Sequence, residues 1–142
     1  MADAGKHRQA IQQFTGAIKL SPQTGKLFHH RASSFAEMGS LDAAVFDYDT
    51  AVRLNPSYPD TYLDRGNVRH AMGELDKALK DYSEAIRLRP GWAEAYANRA
   101  VVYAQAGDEA ASVADARKAV ALGVDGVQLA EMIAAAREHA GA

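Results

Sequence analysis

The sequence predicts an all-helical repeat solenoid, on three observations. Proline recurs at Pro22, Pro56 and Pro90, each 34 residues after the last. Glycine recurs at Gly5, Gly39, Gly73 and Gly107 with the same period, and alanine supplies much of a 48% hydrophobic content in which only 8% of residues are aromatic. Alanine is the strongest helix former and lets helices approach closely, so the composition suits many thin stacked helices rather than one thick core.

The other positions fall into the same register. Small residues stand at Ala10, Ala44, Ala78 and Ser112, each followed by Ile11, Val45, Leu79 or Val113. Aromatics follow at Phe14, Tyr48 and Tyr82, and Ala116 breaks the series. Ala17, Ala51, Ala85 and Ala119 come next, then Leu20, Leu54, Leu88 and Leu122.

Each period reads as two helices. The first carries Phe28, Ala32 and Phe35 in one copy and Tyr96, Ala100 and Tyr103 in another, a spacing that lines one helical face. Met38-Gly39 ends it, because glycine reaches the left-handed conformation that a helix stop requires. The second helix holds an Ala-x-x-x-aromatic-x-x-Ala stripe and stops at Leu-x-Pro, since proline cannot continue a helix. In chain order the predicted helices are about 4–20, 23–38, 41–54, 58–72, 75–88, 92–106, 108–121 and 125–140.

These residues resemble the tetratricopeptide repeat (TPR) family, whose 34-residue unit puts aromatic, small and aromatic residues on its first helix and Ala, aromatic, Ala and Pro on its second. The resemblance covers nearly the whole chain as a single domain: a half repeat at 1–22, repeats at about 25–56, 59–90 and 93–122, and a capping helix at about 125–140. Three positions depart from the pattern. Arg69 replaces the second aromatic, Ala116 replaces the aromatic of the last repeat, and Val124 stands where proline is due. A terminal repeat is expected to be atypical. The resemblance implies a right-handed superhelix whose first helices line a concave groove, and a protein-binding scaffold or adaptor that is not an enzyme.

Composition narrows the function further. At 142 residues the chain can remove roughly two-thirds of its unfolded surface from water as one domain. The formal net charge is -2, from 16 basic and 18 acidic residues spread along the chain, so no basic footprint points to nucleic acid or an anionic membrane. There is no cysteine, which excludes disulfides and thiolate chemistry. The first residues carry no signal-peptide pattern, and no apolar run nears the ~20 residues of a membrane span. The expectation is a soluble, cytoplasmic protein with no cofactor.

Arginine and aspartate also repeat in register, at Arg31, Arg65 and Arg99 and at Asp47, Asp81 and Asp115. The half repeat has Gln13 where its aspartate would be, and Asp115 keeps its arginine with no repeat to follow. Both facts favour an Arg–carboxylate pair between the two helices of one repeat over an anion-binding ladder. On this reading Arg65→Ala strands Asp81 and costs more than a change at an exposed site.

With core positions removed, the groove positions are Lys26, His29, His30 and Ser33 in the first repeat. The second gives Asp60, Leu63, Asp64, Asn67 and His70, and the third Glu94, Ala97, Asn98 and Val101. This lining is mixed in charge and slightly acidic toward its second half. It suits a peptide carrying Lys or Arg, or offering backbone hydrogen bonds, better than an acidic tail. One subclass of the family grips acidic chaperone C-termini with lysines, an arginine and asparagines. Asn67 and Asn98 match its asparagines, but its lysine is Leu63 here and its next basic pair is missing, with Asp125 nearby instead. A chaperone tail is therefore not expected.

The five histidines do not make a metal site. His29 and His30 point about 100° apart on a helix, and no His-x-x-x-His or His-Glu pair occurs. Ser33, Ser34 and Ser112 have no catalytic motif around them, and there is no phosphate-binding glycine loop. A second class of function comes from the chain ends. Ile11, Phe14, Ala17 and Ile18 lack the preceding helix they would pack against, and Val127, Leu129, Met132 and Ile133 load the closing helix with apolar surface. Exposed stripes of this size tend to be covered. The alternative reading is thus a self-assembling, homo-oligomeric adaptor, or contact with a region preceding the half repeat.

Overall fold

The computed structural model describes residues 2–140. These form α1 (Ala2–Leu20), α2 (Gly25–Glu37), α3 (Leu41–Leu54), α4 (Pro59–Ala71), α5 (Leu75–Leu88), α6 (Ala93–Ala106), α7 (Glu109–Ala121) and α8 (Gly126–His139), with no strand among the described residues. Helices α2 and α3, α4 and α5, and α6 and α7 pack as hairpins. Successive hairpins join through α3 on α4 and α5 on α6, and α1 packs on α2.

Local chemistry sets these turns. Gly39, Gly73 and Gly107 take φ of +81°, +80° and +87°. The residue after each glycine returns its N–H to Phe35, Arg69 or Tyr103, which satisfies a carbonyl that the helix end leaves free. Along the hairpin seams Ala32, Ala44, Ala78, Ala85 and Ala100 are wholly buried, and their small side chains let the helices close around the rings of Tyr48 and Tyr82.

The last helix breaks the pattern. After α7 the chain reads Leu122-Gly123-Val124 without proline, Gly123 takes φ +111°, and the Val124 N–H bonds the Ala119 carbonyl. This is the stop used elsewhere after first helices, and it sends α8 onto α6 with only slight contact to α7. Ala116 leaves space where a tyrosine ring sits in the earlier repeats, and Leu129 and Ile133 close into a cluster with Ala100, Val101, Ala104 and Ala119. The expected apolar stripe on α8 is therefore corrected. Leu129 and Ile133 are core residues, whereas Met132 is about half exposed and Val127 is exposed. On α1, Ile11, Phe14 and Ile18 are half-buried, and the Phe14 ring stacks on His30 at 5.6 Å.

Candidate functional site

The first helices α2, α4 and α6 present one face in common, and α8 joins them as a fourth wall. Three adjoining depressions run along it. The first, of about 250 Å³, is bordered by Ser33, Glu37, Asp64 and Asn67 over Tyr48. The second, of about 380 Å³, shares Asn67 and adds His70, Glu94, Asn98 and Met132 over Tyr82 and Val101. The third, of about 600 Å³, shares Glu94, Asn98 and Met132 and adds Ala97, Asp125 and Gln128. The shared residues make them one continuous groove.

Tyrosine hydroxyls form the floor, and each needs a partner because it is buried. Ser33 donates to the His29 carbonyl at 3.2 Å and so accepts from the Tyr48 hydroxyl at 3.0 Å. One repeat on, the Tyr82 hydroxyl donates to Asn67 Oδ1 at 2.6 Å, which also accepts from Asn98 Nδ2 at 3.0 Å. Asn67 Nδ2 and Asn98 Oδ1 are left without partners among the described residues, and neither is buried. In the third repeat both members of the pair change together: Ala116 has no hydroxyl to satisfy, and Val101 takes the place of Ser33 and Asn67.

The groove is acidic. Glu37, Asp64, Glu94 and Asp125 border it, and no lysine or arginine lines any of the three depressions. His7 lies 3.0 Å from Glu37 and His29 lies 3.2 Å from Asp64. One oxygen of Asp125 accepts from the Val127 and Gln128 N–H groups and caps α8, leaving the other free among the described residues. The floor tyrosines feel this field. Burial is the main cause that raises the Tyr48 hydroxyl above its ordinary range, with Asp64 and Glu37 adding to it and Ser33 opposing. Burial also raises Tyr82, helped by Asp81, Glu94 and Asp64.

Several expected groove residues lie elsewhere. His29 is buried, with its ring 5.5 Å from Tyr48 and 5.6 Å from Tyr58. A carboxylate only accepts, so the ring donates from Nε2 to Asp64, while Nδ1 pairs with the Thr61 hydroxyl 2.9 Å away. Hydroxyl, imidazole and carboxylate thus stand in line, but Thr61 is 2% exposed, so its hydroxyl cannot meet a substrate. Leu63 turns into the core in one cluster with Tyr62, Ala78 and Tyr82 and with Ala95 and Val102 of α6. His30 stacks on Phe14, Lys26 lies over the Tyr58 ring at 5.9 Å, and Asp60 pairs with Arg89 at 2.9 Å. His70, by contrast, lies in the second depression, where it holds Gln105 at 2.7 Å.

The arginines lie apart from the groove lining. Arg31 grips Asp47 at 2.7 and 2.9 Å, Arg65 grips Asp81 at 3.0 and 2.8 Å, and Arg99 grips Asp115 at 2.6 and 2.8 Å. The third guanidinium nitrogen reaches back to the preceding second helix, at Thr15, Asp49 or Ser83, at 3.2, 3.0 and 3.1 Å. These three positions share the 34-residue register, a signal that was present in the sequence and missed. Arg69 also donates to Asp81 at 3.0 Å. The expectation that Arg65→Ala strands Asp81 is therefore corrected, because the residue that departs from the repeat pattern supplies a second cation. Outside the groove, an apolar cleft of about 380 Å³ opens between α7 and α8, bordered by Val113, Ala116, Val120 and Ala130. It exists because α8 leans on α6.

The family models describe the same unit. The one for TPR repeats matches residues 32–73 and 66–107, and a second, tetratricopeptide repeat, matches 93–122. The chain belongs to the tetratricopeptide repeat family. Among solved structures it is similar to MamA, at 27% identity over 85% of this chain and 71% of that one, with a TM-score of 0.80. It is 33% identical to the first TPR of Spaghetti (RPAP3), solved bound to the HSP90 peptide SRMEEVD, over 69% of this chain and 78% of that one, with a TM-score of 0.67. YrrB, described as a TPR protein with an unusual peptide-binding site, shares the fold at 22% identity, with a TM-score of 0.78 over 94% of this chain and 67% of its own. Comparison with curated proteins finds no match. No helix of the described residues is long and apolar enough to cross a membrane.

Proposed function

We propose that this TPR protein is a non-catalytic interaction scaffold that holds an extended segment of a partner protein along α2, α4, α6 and α8. The observation that carries the reading is the asparagine pair at the middle of the groove. Asn67 Nδ2 and Asn98 Oδ1 are an open donor and an open acceptor, fixed from below by the Tyr82 hydroxyl. A peptide backbone offers the complementary N–H and C=O at every residue. The RPAP3 relative, which holds a peptide on the same fold, supports the reading. The test is selection from a random 12-residue peptide display library on the full chain. Binders lost on Asn67→Ala or Asn98→Ala, but kept on Val113→Ser at the far cleft, support the groove. Binders indifferent to both asparagines count against it.

A second reading, self-assembly through the ends, has a specific observation in its favour. The α7 face that would receive a following repeat is left uncovered, with Val113 and Val120 exposed. A light-scattering mass equal to one chain at high concentration, unaltered by Phe14→Glu, counts against assembly.

A further inference from the structure

Resting on the groove reading, we infer that the bound segment is basic, with two Lys or Arg side chains about six or seven residues apart in an extended stretch. Two pairs of carboxylates define it. Glu37 and Asp64 border the first depression, from α2 and α4. Glu94 and Asp125 border the third, from α6 and the loop entering α8.

Compensation inside the groove is slight. Glu37 and Asp64 meet only histidines, and no ion pair holds Glu94 or Asp125 among the described residues. Lys26 sits at the rim over Tyr58, and His70 is occupied by Gln105. An acidic segment would therefore face four carboxylates with no lysine or arginine in the lining to receive it. The peptide SRMEEVD held by the RPAP3 relative carries two glutamates and an aspartate, the opposite complement.

Geometry supplies the spacing. Neighbouring packed helices lie about 10 Å apart, so the two carboxylate pairs, two helices apart, are separated by about 20 Å across the helices, and somewhat more because Glu37 closes α2 whereas Glu94 opens α6. An extended chain advances about 3.3 Å per residue and spans that distance in about six or seven residues. Between the two cations the backbone passes over Asn67 and Asn98, and Met132, about half exposed, offers an apolar contact for one small hydrophobic side chain.

The experiment takes the groove-dependent peptides recovered from the random display library at 50 mM NaCl, about the lowest practical screening. Each is resynthesised with its Lys and Arg replaced by Gln, and then by Glu, and titrated against the full chain by fluorescence anisotropy. The expected result is recovered peptides with cations about six or seven apart, which lose about tenfold in affinity on the change to Gln and more on the change to Glu. The exposed substitutions Glu94→Gln and Glu37→Gln should each weaken binding about two- to fivefold, the scale of an exposed ion pair, without changing the fold. Groove-dependent binders that lack cations, or that are indifferent to both glutamine variants, overturn the inference and leave the groove reading standing. Recovery of no peptide dependent on Asn67 and Asn98 overturns both.

Discussion

Replacing Arg31 by alanine should destabilise this protein more than the same change at Arg65, although the two arginines occupy equivalent repeat positions. Each donates two hydrogen bonds to an almost wholly buried aspartate, with Asp47 at 2% and Asp81 at 4% side-chain exposure. Stranding a buried carboxylate costs about 3–5 kcal/mol. Asp47 has no second cation among the described residues, so Arg31→Ala should cost about 3 kcal/mol. Asp81 keeps Arg69 at 3.0 Å, so Arg65→Ala should cost only the lost charge-assisted bonds, about 1.5 kcal/mol. Urea unfolding followed by helical circular dichroism reads both, with exposed Arg53→Ala as the control. The double change Arg65→Ala, Arg69→Ala should exceed the sum of its two singles, because only together do they strand Asp81. Equal costs for Arg31→Ala and Arg65→Ala, or additivity in the double variant, would refute the reasoning.

Three further predictions follow from the same contacts. Tyr82→Phe should cost about 1 kcal/mol of stability and loosen Asn67, read as faster amide exchange around that residue. Gly123→Ala places a side chain at φ +111° and should cost about 1–2 kcal/mol, with α8 losing protection before the other helices. His30, exposed but stacked on Phe14, has its pKa lowered, first by partial desolvation, then by His29 and Lys26, so folding favours its neutral form. The sign follows: its contribution is full above the unfolded value of 6.5 and is lost as pH falls from there toward the folded pKa. His30→Gln should flatten the decline in stability between pH 7 and 5; an unchanged slope would show that other groups cause it.

The fold was legible because a 34-residue period repeats the same local instructions. Glycine stops, Leu-x-Pro stops and alanine stripes each act within one hairpin, so all eight helices were read to within two residues at their ends. The placement of α8 was not legible, since it depends on two departures acting together. Gly123 redirects the chain, and the missing ring at Ala116 makes room for Leu129 and Ile133. His29 was placed in the groove lining by its register, but Tyr48 from α3 and Tyr58 and Thr61 from the start of α4 close over it. Leu63 was misplaced for a simpler reason: removing the obvious core stripe does not remove every residue packed beside it. The paired change of Val101 with Ala116 was present in the sequence and carries the tyrosine–acceptor coupling of the floor.

The central claim is that a partner segment lies along α2, α4, α6 and α8. Its most direct test is an amide chemical-shift titration of the full chain with a peptide from the display selection. A segment bound in the groove shifts Ser33, Asp64, Asn67, Asn98 and Met132 and leaves Val113 and Val120 unmoved. Shifts confined to Val113, Val120 and Phe14, with the groove silent, would contradict it and place binding at the ends of the solenoid.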